Sequence, residues 1–369
     1  IPMSGSVILG DIPFEDKYNF NKFVVEVNLS DPENVILQKI INILENNELL
    51  NQKRLLGMEW AKNSTTDKYV DKFLQITEEL NSKPTKLFVI ADELNKNHKE
   101  FKDQQWICDI LKNEIIKEFP EQFTNNPNDA THIWYLAPWN SRYIPKNFNV
   151  QQWYELLKNK NVIFSQHHID QNKLNQLDKQ FNFMNKFGNT FHAICDNTKN
   201  DMNQYFPDKK IITKNLWINN DIFYYMDDKK KLKQKYKLPK KGIIIGSFQK
   251  DTEGKSNQPK LSKGPDILIK IINNIKKRNK NTYVVLTGTR RQYLMKELKK
   301  YKIKYFYFNM VDLKTINELY NCLDLYIVSS RCEGGPRSIF EAGLTKTPII
   351  STKVGIAPDL MHPDSLFDH

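Results

Sequence analysis

Glu333 and Glu341 lie eight positions apart in SRCEGGPRSIFEAG (330–343), separated by Gly334, Gly335, Pro336 and the start of an apolar helical pattern. Glycines let a ligand come close to the backbone. Pro336 suits the first position of a helix, whose free N–H groups favour an anion such as phosphate. A carboxylate repels phosphate, so Glu333 is better suited to accept hydrogen bonds from neutral hydroxyls, as on a sugar. Glu341, more than one turn into the helix, can reach a second set of hydroxyls. The plain alternative for each is a solvated glutamate beside a tight turn. A second segment, KLSKGPD (260–266), also leads into a helix through Pro265. Lys263 at that helix start opposes the helix dipole, unless it is there to meet phosphate oxygens as a point charge. Lys250 is a second such cation, and the polar stretch 250–263 reads as a mobile loop over the site. In the first half of the chain, QHHID (166–170) follows an apolar run. Adjacent histidines point in different directions and no third ligand is evident, so no metal site is expected there.

These residues need strand ends and helix starts to hold them. From residue 242 onward the pattern alternates. Strands are expected at 242–248, 282–288, 304–308, 325–328 and 348–351, and helices at 266–277, 291–300, 313–322 and 336–344. That alternation predicts a doubly wound parallel sheet, which binds ligands at the carboxyl ends of its strands. A similar alternation covers 85–227, with strands at 86–91, 132–136, 162–164, 191–195 and 211–216, and helices at 104–119 and 150–158. The fold expected is α/β, with two Rossmann-like domains facing each other across a cleft. The lysine-rich run 227–241 reads as a flexible joint. Residues 1–80 carry two short strands and three helical patterns. Their opening segment resembles 347–358, so they read as the tail of a preceding domain of the same kind. The first residue is Ile1 and the last domain lacks closing helices, so the chain reads as a truncated piece.

The bulk properties narrow the class. The formal charge is +12, but the lysines are spread among asparagines and no RNP-type aromatic motif, zinc-finger spacing or basic heptad accompanies them. Nucleic acid is therefore not expected as a partner, while a phosphate-bearing substrate or an anionic membrane surface is compatible. Cys108, Cys195, Cys322 and Cys332 are scattered, which argues against a disulfide framework and for a reducing, cytoplasmic setting. No apolar run is long enough to span a bilayer.

The segments GSFQKDTEG, KLSKGPDILIKI, VVLTG and DLYIVSSRCEGGPRSIFEAGLTKTPIIST together resemble the donor domain of retaining GT-B glycosyltransferases of family four. The E-x7-E spacing is met by Glu333 and Glu341, and the flanking strand and Glu-Ala-Gly make the match specific. The likeness is weaker over 85–226, where VIFSQHHID and NLWINNDIF resemble strands of an acceptor domain. The resemblance implies transfer of a sugar from a nucleotide-diphosphate sugar to a glycan or glycolipid acceptor, with retention and without a metal or other cofactor. It implies that Glu333 binds donor-sugar hydroxyls, with Gly334, Gly335 and Pro336 near sugar and phosphate. It places Glu341 at the nucleotide ribose, Lys263 at the diphosphate and His168, rather than His167, near the donor sugar. Arg337 is either part of the anion site or exposed. The arginine this family often carries after its first donor-domain strand has no match at Ser247, and Lys250 is the candidate to replace it. Two other readings remain open: a non-catalytic nucleotide-sugar-binding fragment of a tandem enzyme, and a sugar-nucleotide epimerase of related architecture.

Overall fold

The computed structural model describes residues 85–91, 107–171, 174–254 and 257–368, together with 8–10, 24–26 and isolated positions between 46 and 52. The helices expected within 1–80 lie outside the described residues. The two short strands there, β1 (Ile8–Gly10) and β2 (Val24–Glu26), pair in parallel. The chain divides into two compact units that part between Trp217 and Ile218.

The first unit carries a five-stranded parallel sheet in simple sequential order: β3 (Leu87–Ile90), β4 (His132–Tyr135), β5 (Asn161–Gln166), β6 (Thr190–Ala193) and β7 (Ile211–Thr213). Strands β3 to β6 are buried on both faces, which is why they read as continuous apolar runs. Helix α1 (Ile107–Glu118) covers one face with Cys108, Leu111 and Ile115, against Trp134 and Ile163. Helices α2 (Val150–Lys158), α3 (Leu174–Phe187) and α4 (Asp196–Tyr205) cover the other, where Trp153, Phe183, Met184 and Met202 meet Tyr135, Phe164 and Phe191. Helix α2 starts in a capping box: Asn149 accepts from Gln152 N at 2.9 Å, and Gln152 Oε1 accepts from Asn149 N at 2.9 Å. Helices α3 and α4 are additions to the expected elements. The spacing of Leu174, Leu177, Phe181 and Met184 carries α3, with asparagine and lysine filling its outer face.

The second unit holds a six-stranded parallel sheet. Its strands are β8 (Ile243–Ser247), β9 (Thr282–Thr287), β10 (Lys304–Phe308), β11 (Leu325–Val328), β12 (Ile349–Thr352) and β13 (Leu366–Phe367). Their spatial order is β10-β9-β8-β11-β12-β13. This is the Rossmann order, with its reversal between β8 and β11. Helices α6 (Pro265–Arg278) and α7 (Gln292–Lys300) bury Leu268, Ile269, Ile272, Leu294 and Leu298 against one face. Helix α8 (Leu313–Cys322) lies on the other, where Tyr320 packs against Tyr326. Helices α9 (Arg337–Leu344) and α10 (Ala357–Leu360) complete the unit.

The run expected as a flexible joint contains helix α5 (Lys229–Lys235). Asp228 caps it, accepting from Lys231 N at 2.9 Å. Lys229 and Lys233 pair with Asp324, and Lys235 pairs with Glu318 on α8. Distant acids, which local composition does not reveal, hold these lysines in place.

Candidate active site

Strand order reverses between β8 and β11, and in doubly wound sheets ligands bind at the carboxyl ends of the strands at such a reversal. Three segments meet there: 247–252, 260–264 and 329–336. Gly264 adopts φ +59°, and a Cβ at that position would stand 1.7 Å from Ser329 O, so only glycine lets the segment before α6 touch the loop after β11. Arg331 N and Cys332 N donate to Ser262 O at 2.8 and 3.2 Å. The Arg331 guanidinium grips both oxygens of Asp266, at 2.8 and 2.6 Å, and holds that carboxyl below its usual range. On the far side, Gly355 at φ +55° would place a Cβ 1.9 Å from Gly334 O, which accepts from Ile356 N at 2.8 Å. The Gly334–Pro336 turn is thus fixed by a second glycine, Gly355, farther along the chain.

Lys263 Nζ and Glu333 Oε1 are in direct contact. Ser330 Oγ donates to the same Glu333 oxygen at 3.0 Å, and Gln249 Nε2 donates to Lys263 O at 3.0 Å. The side chains of Lys263 and Glu333 are both largely buried. Two residues expected to act separately, one on phosphate and one on sugar, therefore neutralise each other. Pro336 caps α9 and Arg337 begins it, one residue later than expected.

Lys250 lies beside further positive charge. Burial and the nearby cations Arg290, Lys260 and Lys263 push its pKa down to about 8. Arg290 and Lys260 are additions to the expected set. Arg290 has φ +57°, rare for a side-chain-bearing residue, and its carbonyl accepts from Asp251 N at 3.1 Å and Thr252 N at 3.0 Å. Those bonds, and the burial of Asp251 and Thr252, anchor the start of the segment expected to be a mobile loop. The sequence signal for Arg290 is its place just after β9, at the same end of the sheet as the other cations.

Ser247, which stands where the resemblance expects an arginine, does meet one. Arg291 Nη2 donates to Ser247 O at 2.8 Å and to its Oγ at 3.0 Å. That guanidinium is fully buried, with Nε 3.1 Å from Asp251 Oδ2. It is an internal strut between β8 and β9, unlike Lys250.

Glu341 sits on α9 beside Arg337, whose Nε is 3.6 Å from Glu341 Oε1. Its other oxygen, Oε2, accepts from Tyr320 Oη at 2.9 Å. Burial raises the Glu341 carboxyl, while Arg337 and Tyr320 act against that rise.

In the first unit, His167 turns inward. Its Nε2 is 2.8 Å from Leu136 O, which makes Nε2 the protonated nitrogen, and burial lowers its pKa to about 4. Trp139 lies edge-on to it at 5.1 Å and is itself exposed. His168 is exposed, with its carbonyl accepting from Gln166 Nε2 at 2.7 Å. Beneath them runs a buried polar chain: Trp134 Nε1 donates to Ser165 Oγ at 2.8 Å, which is 2.7 Å from His192 Nδ1, while His192 Nε2 is 2.6 Å from Lys214 O. Among the described residues no cluster of His, Cys, Asp or Glu could hold a metal ion, and no helix is long and apolar enough to cross a membrane.

Comparison with solved structures identifies the fold. Anabaena HepE in complex with UDP-glucose matches at a TM-score of 0.53 and 15% identity, over 74% of this chain and 70% of that one. The same protein with UDP and glucose matches at 0.51 and 14%, over 71% and 66%. No curated protein matches in sequence. The fold is the GT-B fold, two Rossmann-like domains each with its own parallel sheet. Residues 228–365 match the sequence profile of the family described as glycosyl transferases group 1.

Proposed function

We propose that the enzyme transfers a sugar from a nucleotide-diphosphate sugar to a glycan or glycolipid acceptor, with retention of configuration and without a metal. The observation that carries the donor half is the group of charges at the β8/β11 reversal. There Lys250, Lys260, Lys263 and Arg290 gather around the start of α6, and two carboxylates stand eight residues apart on the neighbouring loop and helix. Cations of this kind, fixed before the donor arrives, stabilise a leaving diphosphate. Lys263 and Glu333 neutralise each other until then. A diphosphate competes for Lys263 and frees Glu333 to accept from donor-sugar hydroxyls. The Gly334–Pro336 backbone lies beside sugar and phosphate, with Arg337 adding to the anion site, and Glu341 takes the ribose. The acceptor is assigned to the first domain, where His168 is the candidate site residue. In a front-face transfer the departing diphosphate itself helps take the acceptor proton, so no protein nucleophile is required. That HepE was solved with UDP-glucose supports a nucleotide sugar as donor.

The test is incubation of the full chain with UDP-, GDP- and ADP-sugars, following nucleotide release with and without acceptor extracts. Acceptor-dependent release with the anomeric configuration kept is the expected result. Epimerised nucleotide sugar would show the related epimerase chemistry instead, and binding without turnover in any mixture would show a non-catalytic binding fragment. Glu333→Ala is expected to cost mainly sugar recognition, and Glu341→Ala mainly nucleotide affinity.

A further inference from the structure

Tyr320 is fully buried on α8, and nothing above assigns it a part in the reaction. Its ring is held by Phe248, edge-on at 4.7 Å, and by Tyr326 at 5.1 Å. Tyr326 in turn fixes the loop after β8, its hydroxyl accepting from Phe248 N at 3.0 Å. The Tyr320 backbone is tied as well, its carbonyl accepting from Thr347 Oγ1 at 2.8 Å. A phenol so constrained presents its O–H in one direction, and that direction is Glu341 Oε2 at 2.9 Å.

The other end of the Glu341 carboxylate is held only loosely. Oε1 forms an ion pair with Arg337 Nε at 3.6 Å, longer than a hydrogen bond. Arg337 Nη1 is buried and has no hydrogen-bond partner. Buried polar atoms are nearly always satisfied, and one left over beside the proposed donor site points to a group that arrives later. The helix therefore shows, four residues apart on one face, an acceptor engaged only by a long ion pair and a donor nitrogen with no hydrogen-bond partner. A hydroxyl both donates and accepts, and a vicinal diol does so at two adjacent points. An acceptor-plus-donor pair of this kind suits it better than a phosphate, which only accepts, or a base edge, which neither residue is shaped to pair.

We propose that Tyr320 is a positioning residue: by holding Oε2 it fixes the Glu341 carboxylate so that Oε1, with Arg337, reads the vicinal diol of the donor ribose. This makes the site selective for ribonucleotides over 2′-deoxyribonucleotides. The proposal rests on the donor-site reading above. Without the phenol, Oε2 loses its hydrogen bond and the carboxylate can swing to close on Arg337, shortening the loose ion pair and filling Nη1.

The experiment is titration calorimetry with UDP, GDP and ADP. It is followed by the 2′-deoxy counterpart of the tightest binder and by inorganic pyrophosphate, on wild type, Tyr320→Phe and Glu341→Gln. A site built to bond a hydroxyl rejects the analogue lacking it, so wild type is expected to bind the deoxy compound at least about tenfold more weakly. In Tyr320→Phe that ratio is expected to fall at least about threefold, with pyrophosphate affinity unchanged, because only the diol reading is lost. Tyr320→Phe keeps the ring and the core. Its near-ultraviolet circular dichroism and thermal midpoint show whether it has folded, and Tyr320→Leu serves if it has not. A general weakening of all ligands at constant ratio would mean that Tyr320 only supports the core, and would overturn the proposal. If Tyr320→Phe keeps the ratio while Glu341→Gln loses it, the ribose assignment stands and the role of Tyr320 falls. If Glu341→Gln keeps the ratio too, or wild type binds none of the nucleotides, the donor-site reading fails and takes this inference with it.

Discussion

Raising the pH removes one cation from the proposed donor site, and the Lys250 pKa sets how much that should cost. Burial, then Arg290, Lys260 and Lys263, bring the Lys250 ammonium down to about 8. A lowered lysine pKa means the charge is present below that value and lost as pH rises through it. With that value, about nine-tenths of free protein carries the Lys250 charge at about pH 7 and about one-tenth at about pH 9. A bound diphosphate supplies the opposite charge and pulls the pKa back up, so only the protonated form binds well. Affinity for a nucleotide diphosphate should therefore fall about tenfold between about pH 7 and about pH 9, near 1.4 kcal/mol. Calorimetric titration of ADP at the two pH values measures this directly. Lys250→Arg keeps its charge throughout and should hold its affinity, which also controls for ionisation of the ligand itself. The reasoning is refuted if wild type shows no loss. It is equally refuted if Lys250→Arg loses as much as wild type, because the titrating group would then lie elsewhere.

Three further outcomes are expected. Arg290→Ala should weaken pyrophosphate and nucleotide-diphosphate binding about tenfold, the worth of one charge-assisted contact, measured in the same titration. Asp251→Asn leaves the Arg291 guanidinium buried without its counter-charge and should destabilise the second domain by about 3–5 kcal/mol in urea unfolding, as broken buried ion pairs do. His167 and His192 are both held near pKa 4 by burial, below the unfolded value of 6.5, so the unfolded chain binds more protons across that window. Stability they contribute is fully present above about pH 6.5 and declines towards about pH 4, with each histidine costing about 2 kcal/mol between about pH 7 and about pH 5. Urea midpoints across that range should show a steep acid loss that flattens in His192→Asn, and His167 or His192 titrating above about pH 6 by NMR in the folded state would contradict it.

Much of this protein was legible from local pattern. Helix α8 and strand β11 begin and end where the sequence places them, because Asp312 caps the helix and the apolar run at 325–328 is too short for anything but a buried strand. The donor-side segments were legible too, since glycine and proline mark strand ends and helix starts by their own backbone preferences. Helix α5 was not, because seven residues with five lysines have no apolar face to read and are held by Asp324 and Glu318 from far along the chain.

The sequence by itself determined the alternating strands and helices, the two domains' parallel sheets, and the candidate pair Glu333 and Glu341 with Lys263 and Lys250. Periodicity and turn chemistry act over a few residues, and those features need no more. Only the tertiary structure decided which charges meet. Lys263 lies seventy residues from Glu333 and touches it, Arg290 joins Lys250 from another strand, and Arg291 is spent on Asp251 inside the domain. Tyr320 reaches Glu341 from a different helix. Contacts of this kind depend on strand order and on two glycines, Gly264 and Gly355, that let separate loops touch, and neither is a property of any short stretch of residues.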